Sequence, residues 1–210
     1  MAFEHACFIS YAHGEHELMQ LFIRELTQEL QNSLDPYFDE TVCIDRDHLR
    51  PGMNFDIALA SAICRSVCMV VVYSPKYSRH PYCLREYEAM RRVEQDRRNK
   101  LQDATSPGVG MIIPIIFRGK KELLPAEIRD HVHYMDFRSF TLYDARIRSN
   151  RDYVDGIEKV AEYIFDLNEA CEAAGADLIN HCQGFELPGE AQIVQWRRST
   201  AAFPGRGDQA

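Results

Sequence analysis

The chain has 210 residues, of which 46% are hydrophobic and 27% charged, and a chain of this size can bury a sizeable core. The formal net charge of -8 argues against a dedicated nucleic-acid binder, which would carry a basic face. The apolar runs are far shorter than the roughly 20 residues that a membrane-spanning helix needs, and the first residues lack the pattern of a signal peptide. We therefore expect neither nucleic acid nor membrane among the partners.

The first half of the chain alternates short apolar runs with amphipathic segments. The periodicity predicts strands at 6–11, 41–44 and 67–73, and helices at 15–34, 55–66 and 81–100. Every residue of the third strand is apolar, as expected of a strand that is buried on both faces. Pro81 suits the first position of the helix that follows.

The second half continues the alternation and then changes in character. The pattern predicts strands at 111–117 and 132–136, and helices at 122–130 and 153–174. Pro114 lies inside the fourth strand, which predicts a bulge or a position near the sheet edge. We divide the chain into a domain at 1–184 and a C-terminal tail at 185–210. The tail is either mobile or docks, through Ile193 to Trp196, on the domain or on a partner.

The number, spacing and sequence context of the cysteines indicate the cellular compartment of the protein. Seven cysteines occur, and none are paired at CxxC spacing. Cys7, Cys43 and Cys68 lie inside apolar, strand-like runs. This pattern favours buried, reduced thiols over a disulfide framework, and it predicts a cytoplasmic location.

The order of elements predicts the fold class. Strands that alternate with helices form a parallel sheet covered by helices on both faces, so we expect a three-layer α/β sandwich with five parallel strands. In such sheets ligands bind at the carboxyl ends of the strands, near a switch in strand order. Glu86 follows the third strand closely, which places it near the expected crevice.

Tyr82 and Glu86 are four residues apart on the third helix and therefore share a face. A tyrosine ring can stack on a flat base, and a carboxylate can bind ribose hydroxyls and offset the charge of an oxocarbenium ion. The alternative is a glutamate that only favours the helix dipole and solvent. His13 and His16 lack a third metal ligand at suitable spacing, and no glycine-rich phosphate motif occurs. We therefore expect no metal and no cofactor.

Several motifs in chain order resemble those of Toll/interleukin-1 receptor (TIR) domains across about residues 5–170. They are Phe8 to Tyr11, Val42 to Asp45, Leu49 to Gly52 with Phe55, Val70 to Pro75 with Tyr77, Tyr82 to Glu86, and Met111 to Phe117. Their order is more specific than any one motif. The resemblance, which is nearest to bacterial TIR proteins, implies a flavodoxin-like sheet of five parallel strands.

The resemblance also implies a function and a site. Some TIR domains cleave NAD+ at the nicotinamide–ribose bond, which gives nicotinamide and ADP-ribose or a cyclic isomer, and the catalytic glutamate of those enzymes matches Glu86. NAD+ is then a substrate, not a cofactor. The implied substrate-binding residues are Ser10, Tyr11, Asp45, Phe55, Ser74, Tyr77 and Tyr82, the last at a position where the family usually has tryptophan. The implied assembly loop, the BB loop, is Leu49, Arg50, Pro51 and Gly52.

Other TIR domains are scaffolds that signal by assembly with themselves or with other TIR domains, and this alternative stays open. For the enzyme, the resemblance implies a role in bacterial anti-phage immunity and a separate effector that senses the product. A third alternative is an enzyme like the nucleoside deoxyribosyltransferases, which would turn over nucleosides and not NAD+.

Overall fold

The structure is a computed structural model, and it describes residues 3–14, 17–39, 41–44, 52, 54–101, 110–130, 133–141, 150–174, 178–179, 182–193 and 196. The strands are β1 (His5–Tyr11), β2 (Thr41–Ile44), β3 (Ser66–Tyr73), β4 (Ile112–Ile116) and β5 (Met135–Asp136). The helices are α1 (Glu17–Leu34), α2 (Phe55–Cys64), α3 (Pro81–Lys100), α4 (Ala126–Arg129) and α5 (Arg151–Ala173). The predicted succession of strands and helices is confirmed.

The five strands form one parallel sheet in the order β2-β1-β3-β4-β5. Strand β2 lies on one side of β1 in the sheet, and the chain then crosses back to place β3 on the other side of β1. Because crossovers between parallel strands are right-handed, α1 and α2 cover opposite faces of the sheet. Helix α5 contacts α1, and α3 contacts α2, which completes the predicted three-layer sandwich.

Strand order reverses at β1, which lies between β2 and β3. The binding crevice of such a sheet lies at the carboxyl ends of the two strands that flank the reversal, here β1 and β3. These strands are buried almost throughout, and all eight residues of β3 are buried. The expected crevice is therefore bordered by buried strands of the sheet.

Pro114 is accommodated in β4 without the predicted bulge. Strand β4 pairs with β3 in unbroken register from Ile112 to Ile116. The carbonyl of Ile116 accepts from Phe137 on the β5 side, so backbone groups of Pro114, two residues earlier, point to that side as well. Strand β5 pairs with β4 only at its last two residues, so the missing N–H of Pro114 leaves the ladder with β3 intact. The expectation of a bulge is wrong, while β4 does lie next to the edge strand.

The expectation of reduced thiols is wrong for one pair of cysteines. Cys64, at the end of α2, forms a disulfide with Cys182, and their Cα atoms are 5.6 Å apart. The partners are 118 residues apart in sequence, so spacing along the chain gives no sign of their contact. The other five cysteines form no disulfide and are buried, as expected: Cys7, Cys43, Cys68, Cys83 and Cys171.

Beyond α5 the described residues return to the domain instead of extending into solvent. Cys182 is fixed to α2, and Trp196 is buried against side chains of β3 and α3. The boundary at 184 stays a prediction. In the part of the chain that the structure describes, no helix combines the length and hydropathy required to span a membrane.

Candidate functional site

Glu86 adjoins the carboxyl end of β1, the strand at which strand order reverses. Pro81 starts α3 directly after the turn that follows β3, and Glu86 faces inward from the second turn of this helix. Its side chain is only 3% exposed. The Oγ of Ser10, at the end of β1, donates to Glu86 Oε2 over 2.5 Å, a distance typical of a hydroxyl bonded to a carboxylate. The structure thus brings together two of the predicted site residues.

Tyr77 completes a hydrogen-bonded chain around this pair. It lies in a 3-10 turn between β3 and α3 and is fully buried. Because Ser10 donates its own proton to Glu86, the single hydroxyl proton of Tyr77 is shared between Ser10 Oγ at 2.8 Å and the carbonyl oxygen of Cys83 at 3.1 Å. Burial, with the nearby Cys83 and Glu86, raises the pKa of Tyr77 well above its usual range, so the phenol keeps its proton. Three elements, β1, the turn and α3, therefore fix the position of the Glu86 carboxylate.

An aromatic pair joins the first turn of α3 to the start of α2. Tyr82 is 40% exposed, and its ring meets Phe55 of α2 edge-to-face with 5.4 Å between centroids. The guanidinium of Arg85 lies 5.0 Å from the Tyr82 centroid and forms an ion pair with Asp56, with 2.7 Å between Nη2 and Oδ2. This arrangement leaves a partly open ring, one helical turn before Glu86, on which a flat group can stack.

The structure separates Tyr11 from this group. Successive strand residues point to opposite faces of the sheet, and Tyr11 follows Ser10. Its ring stacks on His13 with 4.4 Å between centroids and lines a different cleft, of about 470 Å³, with residues of α1 and with Ile44. Ser74 is buried at the end of β3, where its carbonyl accepts from Tyr77 N over 2.9 Å.

The implied assembly loop falls mostly outside the described residues. Asp45, Leu49, Arg50 and Pro51 are not among them. Gly52 is described and has a φ of +89°, a backbone conformation that glycine adopts without strain. A side chain at this position would meet no atom within 4 Å, so the requirement for glycine comes from the backbone and not from crowding.

A second cleft, of about 850 Å³, lies at the β4–β5 side of the sheet, between α3 and α5. Three of its lining residues are basic: Arg91, Arg98 and Lys159. None of the site residues predicted from the sequence lines it. Among the described residues, no three or more histidine, cysteine, aspartate or glutamate side chains are grouped so that they could hold a metal ion.

Sequence reasoning missed two residues near the site, Asp56 and Arg85, and it named Trp196 only within the segment that could dock on the domain or on a partner. Asp56 and Arg85 each adjoin a predicted site residue, but only the contact between α2 and α3 makes them a pair. Trp196 is the only tryptophan of the chain, in a segment with few other large apolar residues. That isolation was the one signal that the sequence offered for it.

Comparisons with known proteins give a family match and a structural similarity. A family model described as TIR domain matches residues 7–149. Among solved structures, the chain is similar to the TIR domains in a structure titled as the activated Roq1 resistosome directly recognizing the pathogen effector XopQ. That similarity has 19% sequence identity and a TM-score of 0.44, and it covers 74% of this chain and 82% of the other. The search of curated proteins gives no match.

Proposed function

Because the chain belongs to the TIR domain family, we propose that it is an enzyme of that family, which cleaves NAD+ between nicotinamide and ribose with Glu86 as the catalytic carboxylate. One observation carries the proposal. Glu86 is a buried carboxylate at the switch point of the sheet, held by Ser10 over 2.5 Å. A fixed charge in a desolvated place stabilises a developing cation more strongly than it could in water.

The reaction needs little besides this charge. The bond between C1′ of the ribose and the nicotinamide nitrogen breaks, and its electron pair neutralises the cationic ring, so no acid is needed. Positive charge then develops at C1′, where Glu86 stabilises it. Water that gives up a proton yields ADP-ribose, and an adenine nitrogen that attacks C1′ yields a cyclic isomer. We propose Tyr82 and Phe55 as the surface on which one of the rings of NAD+ stacks.

The test is release of nicotinamide by the purified chain at high protein concentration, with products separated by mass spectrometry. Glu86→Gln keeps the shape of the side chain and removes its charge, so we expect turnover to fall about 100-fold or more. Glu88→Gln is the matched control, because Glu88 lies two residues further along α3 and forms ion pairs with Arg91 and Arg92 at the surface. Equal turnover in the wild type and in Glu86→Gln would contradict the assignment.

A second candidate function is a non-catalytic scaffold that signals by TIR–TIR assembly. The observation that favours it is the burial of Glu86, because a carboxylate held by Ser10 can also serve only to join β1 to α3. No release of nicotinamide by the wild type at any concentration would favour this candidate. Assembly through the loop that contains Gly52, bacterial immune signalling, a separate effector and a cytoplasmic location all remain proposals.

A further inference from the structure

The described residues after α5 form what we call the C-terminal strap, residues 182–193 and 196. It is attached to the domain at three points. Cys182 is bonded to Cys64 of α2. The carbonyl of Pro188 accepts from Arg85 Nε over 2.7 Å. Trp196 is buried in the domain, with 8% exposure.

Trp196 packs against three tyrosines, one of which belongs to the hydrogen-bonded group around Glu86. Its ring stacks on Tyr77 with 5.5 Å between centroids and an angle of 28° between planes. Tyr87 of α3 meets it edge-on at 4.7 Å, and Tyr73 of β3 lies 6.4 Å away. Trp196 therefore packs on the same tyrosine whose hydroxyl lies 2.8 Å from Ser10 Oγ.

We infer that Trp196 is a positioning residue, which holds the ring of Tyr77 so that the Tyr77 hydroxyl fixes Ser10 against Glu86. The inference rests on the proposed function of Glu86. Tyr77 lies in a turn of three residues, so few residues of the same turn can orient its ring. The indole ring of Trp196, from the strap, supplies a flat surface against which the Tyr77 ring packs. The family match ends at residue 149, so this support comes from outside the matched region.

The contacts of Trp196 predict how its loss would affect catalysis, apart from any effect on the stability of the fold. The ring contacts of Trp196 are with Tyr73, Tyr77 and Tyr87, and it reaches the hydrogen-bonded group through Tyr77. Loss of its ring leaves Glu86 and the stacking surface at Tyr82 in place but loosens one end of the hydrogen-bonded chain. Binding of NAD+ should therefore change little, while the chemical step, which depends on the placement of the carboxylate, should slow.

The experiment compares three variants of the full chain. In Trp196→Ala we expect kcat for NAD+ cleavage to fall about 10- to 100-fold with a nearly unchanged KM. Trp196→Phe keeps an aromatic ring on Tyr77 and should retain most of kcat. Ile128→Ala removes a fully buried side chain from α4 and controls for general loss of stability. A loss in Trp196→Ala no larger than in Ile128→Ala, or no recovery in Trp196→Phe, would overturn the inference.

A second measurement does not depend on turnover. The hydroxyl proton of Tyr77, assigned in NMR spectra by its absence in Tyr77→Phe, should exchange slowly with water in the wild type because its hydrogen bonds are buried. Exchange should accelerate in folded Trp196→Ala and not in Ile128→Ala or Trp196→Phe. If the wild type cleaves no NAD+, the proposed function fails while this measurement still decides the positioning role. Unchanged exchange in folded Trp196→Ala would contradict that role.

Discussion

The burial of one side chain, Tyr87, makes the stability of the protein depend on pH. Burial raises its pKa to about 12, against an ordinary value of 10.0. Between these two values the unfolded state has lost the phenol proton and the folded state keeps it, so the unfolded state binds fewer protons. Stability therefore falls as pH rises from 10 to 12.

We predict that Tyr87→Phe removes this loss. At pH 11 the wild type should lose about 1 kcal/mol of unfolding free energy relative to its value at pH 8, beyond any loss in Tyr87→Phe. Urea unfolding at the two pH values measures the difference. Tyr37→Phe is the control, because Tyr37 is 48% exposed, and it should respond to pH like the wild type. The same pH response in Tyr87→Phe and the wild type would show that Tyr87 is not the source.

Some single residues could be placed from the sequence and others could not. Glu86 and Ser10 were expected close together because both lie at strand ends or just beyond, and the structure has the two side chains in contact. Arg97 lies in a strongly charged stretch of α3, yet it is fully buried, and its guanidinium donates to the carbonyls of Cys64, Ser66 and Val67. Burial lowers the pKa of Arg97 to about 10. Only the folded chain brings those three carbonyls together, so no local pattern marks this arginine.

At the scale of elements, a close approach between α5 and the segment after β5 depends on Gly156. A Cβ at this position would lie 2.9 Å from two ring atoms of Phe137. Phe137 is buried between Phe140 and Tyr153 and has little room to move. Glycine in a helix costs about 1 kcal/mol relative to alanine, so its presence indicates that the contact outweighs this cost.

We predict that Gly156→Ala lowers the unfolding free energy by about 1 kcal/mol. Crowding in a packed core costs about 1–3 kcal/mol, and the gain in helix propensity offsets about 1 kcal/mol of it. Gly189→Ala is the matched control, since an added Cβ there meets no atom within 4 Å, and it should be neutral within about 0.5 kcal/mol. Urea unfolding at neutral pH compares the two. A stabilised Gly156→Ala would mean that the Phe137 ring moves aside.

Periodicity predicted the succession of elements well because each strand and helix repeats its pattern over several residues. Strand β3 is apolar at all but its first residue and was predicted within one residue of its observed bounds. Strand β5 is only two residues long in the structure, and a pattern that short cannot fix its ends. The absence of a bulge at Pro114 follows from the side to which its backbone points, which depends on pairing with strands far away in sequence.

At the scale of the whole molecule, the disulfide between Cys64 and Cys182 joins the second helix to the C-terminal strap. Cross-links that close a long loop stabilise a protein mainly by restricting the unfolded chain, typically by about 2–4 kcal/mol. This loop spans 118 residues. Trp196 lies beyond the cross-link and is the only tryptophan, so its fluorescence reports whether the strap is docked.

We predict that a phosphine reductant lowers the unfolding free energy of the wild type by about 2–4 kcal/mol and leaves the double variant Cys64→Ser/Cys182→Ser unchanged. The remaining five cysteines form no disulfide, so the difference isolates this one bond. Thiol labelling in urea without reductant should modify five groups in the wild type. If all seven cysteines are labelled and the reductant has no effect, the bond is absent in solution. The thiols would then be reduced, as is usual in a cytoplasm, and contacts such as those of Trp196 and Arg85 would hold the strap without the bond.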